Sequence, residues 1–557
     1  MEQMVEIICQ NTSSKVLVPL GSKLIEIRKY INIEEKECFV GAFVNNVLES
    51  LNHRIYTPQT IKFIDITHPC GRRVYAMSLI FVLYKAVKEI YKTDKLHLHY
   101  SMTNGYYAHI DDNSLNLKEN YVETIKEKMQ EIIDKAEEFH IKSLPIDEAV
   151  ELFNKLNLNV KANLAKMTNR LYASVAYCGE TINYFYSPLL YDTSYLKVFD
   201  LIPFDKGFLL IMPDKKDVRR TPKTNPNQKK LFNVFEEYQN WVEILHTPHL
   251  CELNEALKQK GEESLIQISE ALHEKKYATI ADNINQNKKG NIKIVLLAGP
   301  SSSGKTTSCR RLSTQLSVLG KDVIELSLDD YFLDREHSPK DENGSYDFES
   351  INAIDLDLFN SQMNDLLNGK DVFLPHYNFI KGVKEFSSKP TIAKDNSILI
   401  IEGIHGLNPK LTNSIPKERV YKVFVSALIQ LSIDNHNLIS SSDNRLIRRI
   451  VRDYNYRGYS AQDTLSRWNS VREGEEKNIF PFQEEADEIF NSSLLYEIGA
   501  LKPLASSLLR EVGQNTESYS EAKRLLAFLD NFTTIDPKFI PPTSILREFL
   551  GGSSFQY

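Results

Sequence analysis

Paired cysteines are missing from this chain. The six present, Cys9, Cys38, Cys70, Cys178, Cys251 and Cys309, are scattered, which excludes a disulfide framework and a zinc ribbon and suits a reducing compartment. Long apolar runs are missing too. The most apolar stretch, MSLIFVLYKAV from Met77, meets Lys85 well before the ~20 residues that cross a bilayer. The opening MEQMVEIICQ carries acid where a secretory leader carries base. Neither sign of charge dominates: 67 basic against 74 acidic side chains give a net charge of -7. That total gives no reason to expect tight nucleic-acid binding, although a local basic patch stays open. No repeat of solenoid period and no low-complexity tract is visible. These absences lead to the expectation of a soluble cytoplasmic protein without a membrane span.

What is present exceeds one hydrophobic core, since 557 residues suggest about three or four domains. Short period-two runs, VEIICQ, KVLVPL, CFVGAFVN and TIKFIDI, surround one helical stretch, SKLIEIRKYI, and predict a small α+β unit over 1–66. The opening strands and LGSKLIEI resemble the TGS domain, a ubiquitin-like β-grasp module of threonyl-tRNA synthetases. Residues 67–230, with GRRVYAMSLIFVLYKAVKEIY, LHLHYSMTNGYYAHI and YASVAYCGETINYFYSP, resemble the second additional domain that follows TGS there and carries the editing site.

The resemblance implies two histidines four apart on the first helix and a Cys-x-x-x-His further on. The helix places carry Arg73 and Met77, and Cys178 is followed four residues on by Ile182. A lone cysteine neither holds a metal nor supports that hydrolysis, so editing activity is expected to be absent. His97, His99, His109, His246 and His249 show no joint metal spacing and read as strand and loop residues. The stretch KKDVRRTPKTNPNQKK, Lys215 to Lys230, has seven basic residues against one acid. It reads as a loop and offers either solvated surface, an RNA contact or a charged lid.

Residues 231–290 then read as a helical connector. Next comes LLAGPSSSGKTTSCRRL, an apolar strand, a glycine-bounded loop and a helix. GPSSSGKT fits G-x-x-x-x-G-K-[ST] between the right flanks. Gly299 and Pro300 would shape the loop so that Ser301, Ser302, Ser303 and Gly304 turn their N–H groups toward phosphate oxygens, and Thr307 would continue that set into the helix. Lys305 would neutralise β and γ phosphates, and Thr306 would offer its hydroxyl to Mg2+. Asp329, the first acid past the strand DVIELSL, faces the ligand crevice in an open α/β sheet and is the chosen group to orient or deprotonate an accepting hydroxyl, with Asp330 in reserve. Glu402 ends the strand SILIIEG and is the second metal-binding oxygen donor.

LSLDDYFLDREHSPKDENGSYDFES, LPHYNF, ILIIEGIHGLNP and RLIRRIVRDYNYRGYSAQDTLSRW occur in order from about Lys293 to about Ser493. Together they resemble the uridine kinase branch of the phosphoribulokinase and uridine kinase family, a P-loop kinase with a parallel sheet flanked by helices. The resemblance implies Asp329 as general base, Tyr331, Phe332 and Tyr377 around the nucleoside, and Arg452 and Arg457 in a lid over the phosphates. Arg448 is expected to touch phosphate or acceptor, and Arg449 either joins that clamp or faces solvent. Three places depart from the family's pattern: Glu349 replaces an aspartate at the ribose, Gly382 stands where a base-reading histidine occurs, and Tyr459 replaces a lid arginine.

The sequence therefore predicts a multidomain α/β and α+β chain: 1–66, 67–230, 231–290, a kinase at 291–495 and a helical tail at 496–557 that returns onto the kinase or its cleft. The expected reaction is Mg2+-dependent transfer from ATP or GTP to the 5′-hydroxyl of uridine or cytidine. Two alternatives stand: another sugar or polyol as acceptor, and a nucleotide-switched tRNA- or RNA-binding regulator. A homo-oligomer is compatible with the sequence.

Overall fold

The computed structural model describes the chain except for residues 1–2, 32, 34–37, 103–104, 113, 116, 169, 224–227, 287–290, 341–343, 345, 430 and 557. The first unit is a five-stranded sheet in the order 14–19, 4–9, 59–65, 39–44, 47–49. The strand 4–9 runs parallel to 59–65 and the remaining pairs are antiparallel. A short helix, Leu24–Ile27, buries Leu24 and Ile27 against it.

The helix Pro69–Tyr91 starts where Pro69 needs no N–H partner and the His68 ring accepts from the Cys70 amide at 3.1 Å. It is buried nearly all round from Val74 to Val87. A three-stranded sheet (139–145, 172–178, 181–184) and a four-stranded sheet (96–102, 105–110, 200–204, 207–211) complete this part, and residues of both join the helix in one apolar cluster.

The later sheet is fully parallel, in the order Asp322–Ser327, Ser397–Glu402, Ile294–Ala298, Val420–Ser426, Glu488–Asn491. Its apolar runs, IVLLA and ILII, are those of strands covered on both faces. The helix Glu262–Asn285 covers one face together with Lys305–Val318, and Arg311 joins them through Glu270 and Glu274 at 3.2 and 2.7 Å.

The tail belongs to the same core. Ile498, Leu501, Leu508, Leu525, Phe528, Ile545 and Phe549 share one cluster with Val295 and Leu297 of the central strand. Pro503 lies inside the helix Glu497–Arg510 and offers no N–H to the Gly499 carbonyl four residues back. Ile535 N donates to that carbonyl at 3.2 Å, so the chain's return repairs the bond the proline removes.

Front and rear halves dock through polar groups. Lys161 and Asp434 form an ion pair at 2.6 Å with side chains 3% and 1% exposed, Asn437 Nδ2 donates to Tyr184 O at 2.9 Å, and Leu98 N donates to Asn435 O at 2.9 Å. The basic stretch is exposed, but two of its lysines bond to the rear half: Lys215 pairs with Glu476 and Lys230 Nζ donates to the Glu484 and Ala486 carbonyls; its residues 224–227 lie outside the described set. Among the described residues, no helix is long and apolar enough to cross a membrane.

Two stability tests follow from these contacts. Asp434→Ala leaves the Lys161 charge buried without its partner and is expected to cost about 3–5 kcal/mol in denaturant unfolding. His97, His99 and His109 stack together, with His99 Nε2 and His109 Nδ1 2.6 Å apart. Burial, then the neighbouring imidazole of His109, pushes His97 down to about 4 and His99 to about 3. An unfolded histidine binds its proton near pH 6.5, so the unfolded chain holds more protons below that pH. Unfolding free energy is expected to fall as pH drops from about 6.5 toward 4, by up to about 1.4 kcal/mol per unit for each histidine. Flat denaturation midpoints over that range would contradict it.

Candidate active site

A loop that aims its N–H groups at one point must send its carbonyls the other way, and those carbonyls need donors. Gly299 and Pro300 O accept from Lys305 Nζ at 3.0 and 3.2 Å. Ser301 O accepts from Arg445 Nη1 at 3.1 Å, Ser302 O from Arg448 Nη1 at 3.3 Å, and Ser303 O from Ser492 Oγ at 2.5 Å. Backbone shape decides the glycines: Gly304 has φ +84°, and a Cβ on Gly299 would run into Val425 O.

Arg445 and Arg448 are buried, and each has a buried carboxylate: Glu475 for Arg445 and Glu497 for Arg448. Glu475 also accepts from Ser301 N at 3.0 Å. Arg449 Nη1 donates to Ser301 Oγ at 2.7 Å and its Nε to Asp453 at 3.1 Å. Asp453 lies also 3.2 Å from Arg457 and 4.0 Å from Arg452. Residues 445, 448, 449 and 452 are three and four apart on Ser441–Arg457, so they share one face.

This placement corrects the expectation for Arg448. Its guanidinium is fully buried, committed to Glu497, Ser302 O and Ser492, and it braces the loop from beneath. Arg452 and the half-exposed Arg457 stand further along the same helix.

Thr306 Oγ1 donates to Glu402 Oε1 at 3.3 Å, which brings two hard oxygen ligands together as a divalent cation requires. Burial pushes Glu402 up to about 7 against the pull of Lys305. The buried hydroxyls of Ser302 and Ser303 have no hydrogen-bond partner among the described residues. Loop, lysine and paired oxygens fit a Mg2+ nucleotide.

The two aspartates after the second strand separate clearly. Asp330 accepts from Tyr377 N at 3.1 Å and lies 2.9 Å from His376, so it fastens the hairpin Pro375–Phe386. Asp329 is solvent-exposed with protein packed around its carboxyl. That enclosure raises its carboxyl pKa, with Lys305 opposing and Asp330 adding. Glu349 shares the cleft: burial raises its pKa, Glu475 adds, and Lys305 and Arg449 oppose. Its Cγ would stand 3.2 Å from a Cβ on Gly474.

Phe332, Tyr377 and Phe379 meet edge to face at 5.0–6.3 Å, and Tyr377 Oη is buried without a hydrogen-bond partner among the described residues. Tyr331 corrects its expectation, being 1% exposed, bonded to Gln362 at 2.9 Å and packed on Phe359. It supports this wall from the core. At Gly382, φ is +73° and Arg335 fills the space where a Cβ would point.

Cys178 lies beside Lys85, a contact the sequence did not indicate. Arg73 pairs with Glu521 at 3.0 Å. Lys85 reaches Cys178, donating to its carbonyl at 3.0 Å and pairing with Glu137 at 3.0 Å. Burial pushes the Cys178 thiol up to about 12 despite Lys85, so it is not a thiolate nucleophile at neutral pH. Glu475, Glu497, Asp453, Lys85 and Glu548 were all missed in sequence. For the rear-half residues the only signal was their distance of many residues from a motif that needs counter-charges.

A parallel sheet with the phosphate loop on its central strand and an arginine helix beside it defines a P-loop phosphotransferase. A profile of the Phosphoribulokinase / Uridine kinase family matches residues 294–496. The uridine kinase of Staphylococcus epidermidis is 31% identical over 196 residues, 35% of this chain and 84% of the relative. That of Ligilactobacillus salivarius is 29% identical over 185 residues, 33% of this chain and 78% of the relative. A solved possible uridine kinase from Bacillus stearothermophilus is 17% identical with a TM-score of 0.24, covering 39% of this chain and 98% of that one. The chain belongs to the phosphoribulokinase / uridine kinase family, and it is a kinase acting on a hydroxyl group.

The brace under the loop is open to test. Glu475→Ala is expected to lower stability by about 3–5 kcal/mol, because Arg445 stays buried without its carboxylate. ATP affinity should weaken with it, since Arg445 loses the carboxylate that holds it under Ser301 O. Thermal unfolding and equilibrium dialysis would show both effects.

Proposed function

We propose that this kinase transfers the γ-phosphoryl group of ATP or GTP to the 5′-hydroxyl of uridine or cytidine. The observation that carries the reading is the division of labour between Asp329 and Asp330: Asp330 holds the hairpin, and Asp329 is left in the cleft beside Lys305 and Arg457. A carboxylate so placed within reach of a bound hydroxyl takes its proton as the oxygen attacks phosphorus. Glu349 is the group for ribose hydroxyls, and Phe332 and Tyr377 wall the base.

Lys305 leaves the loop carbonyls for the phosphate oxygens as the nucleotide enters, and the loop N–H groups hold the phosphates in line with the acceptor. Thr306 and Glu402 would hold Mg2+, which when bound neutralises charge on the β and γ oxygens. Arg452 and Arg457 close from the lid helix and exclude water, so that phosphoryl transfer outruns hydrolysis.

A second acceptor class, another sugar or polyol, is favoured by Gly382, where Arg335 occupies the room that a base-reading side chain would use. In the front half, the sheet order 2-1-5-3-4 in chain numbering, with its outermost N-terminal hairpin, supports the TGS-like β-grasp assignment for 1–66. The protonated Cys178 beside Lys85 supports a 67–230 module without editing activity. The connector at 231–290, the kinase at 291–495 and the tail at 496–557 complete the proposed division.

With Mg2+ and ATP, a panel of nucleosides, pentoses and polyols should give a monophosphate from uridine or cytidine. Asp329→Asn is expected to lower kcat about 10²–10⁴-fold while leaving ATP affinity within a few-fold. Turnover with a non-nucleoside alone would transfer the reading to the second acceptor class. An Asp329→Asn enzyme of full activity would remove Asp329 from the reaction.

A further inference from the structure

The first turn of the phosphate-loop helix is already held by an anion, and the chain itself provides it. Glu548, from the tail segment after Pro541, accepts from Thr307 Oγ1 at 2.7 Å and from Thr307 N at 3.4 Å through the same oxygen. Its other oxygen lies 3.7 Å from Arg452 Nη1. The carboxylate is 8% exposed and rests between a helix N-terminus and a lid arginine, both of which attract negative charge.

The segment around it is fixed in place. Ile545, Leu546 and Phe549 are fully buried, Ile545 Cδ1 stands against the face of Gly304, and Asn455 Nδ2 of the lid helix donates to Phe549 O at 2.8 Å. Arg448 lies over the Phe549 ring at 5.2 Å. The apolar anchors therefore hold the backbone, and the Glu548 side chain is the one acidic group they deliver to the cradle.

We propose that the tail is an autoinhibitory strap whose Glu548 carboxylate occupies part of the donor's phosphate site and must leave Thr307 and Arg452 before a nucleotide binds fully. The proposal rests on the donor reading above. The exchange is one anion for another at the same donors, so apparent donor affinity is reduced by the fraction of molecules in which Glu548 has swung away. It also ties lid and loop together: while Arg452 serves Glu548, it is not free to close over a transferring phosphoryl group.

The test compares wild type, Glu548→Gln and Glu548→Ala as full-length proteins, with ATP and with inorganic pyrophosphate, by equilibrium dialysis without acceptor. Circular dichroism melts identify any variant that fails to fold, and the near-isosteric glutamine keeps the packing. Both variants are expected to bind ATP and pyrophosphate about tenfold or more tightly than wild type. Equal or weaker binding by a folded Glu548→Gln would overturn the strap and leave the donor reading intact. Failure of every form to bind either ligand would overturn the donor reading and the strap with it.

Discussion

The loop Gly299–Gly304 creates an electrostatic demand on its far side. Turning successive N–H groups toward one anion turns the carbonyls toward the core, where water cannot serve them. Lys305, Arg445, Arg448 and Ser492 supply the donors. Two buried guanidinium groups are tolerated only with carboxylates beside them, and Glu475 and Glu497 meet that condition. One of these lies on the helix after the lid and the other on the first helix of the tail. The phosphate site thus requires residues nearly two hundred positions downstream.

That requirement explains why the tail is core. Glu497 must reach Arg448, so Glu497–Arg510 lies against the lid helix. The Gly499 carbonyl that Pro503 leaves open then takes the Ile535 amide, which turns the chain back toward the loop and delivers Ile545 and Glu548 to it. The connector helix Glu262–Asn285 is drawn in from the other side by Arg311.

Sequence was most informative where function depends on local backbone shape. The glycines, Lys305, Thr306 and the strand-end acids Asp329 and Glu402 sit at fixed offsets from strands and a helix, so spacing alone placed them at one sheet edge. It was least informative where function depends on which face of a helix looks inward. Arg448 was read as a phosphate or acceptor contact beside the lid arginines Arg452 and Arg457, yet its partners separate it from them as a brace. The same difficulty arose on Pro69–Tyr91: that helix is buried almost all round, so periodicity gave no inward face, and Lys85, the residue that meets Cys178, carried no signal. Glu548 had no local signature, since an acid in a four-residue helix acquires meaning only from the loop it touches.

The front half is connected to this machinery by charge. Arg73 pairs with Glu521 of the tail, Glu521 with Arg524, and Arg524 with both Glu521 and Asp443 in the first turn of the lid helix. Lys62 pairs with Glu517, and Ser520 Oγ accepts from Leu48 N at 3.0 Å. Surface ion pairs taken singly contribute little, but Arg524 and its carboxylates are largely enclosed, and breaking one member leaves the others unbalanced. The tail helix Tyr519–Leu529 is therefore fixed to the front half at one side and to the lid helix at the other. The charge network thus joins the front half to the helix that carries Arg448, Arg452 and Arg457.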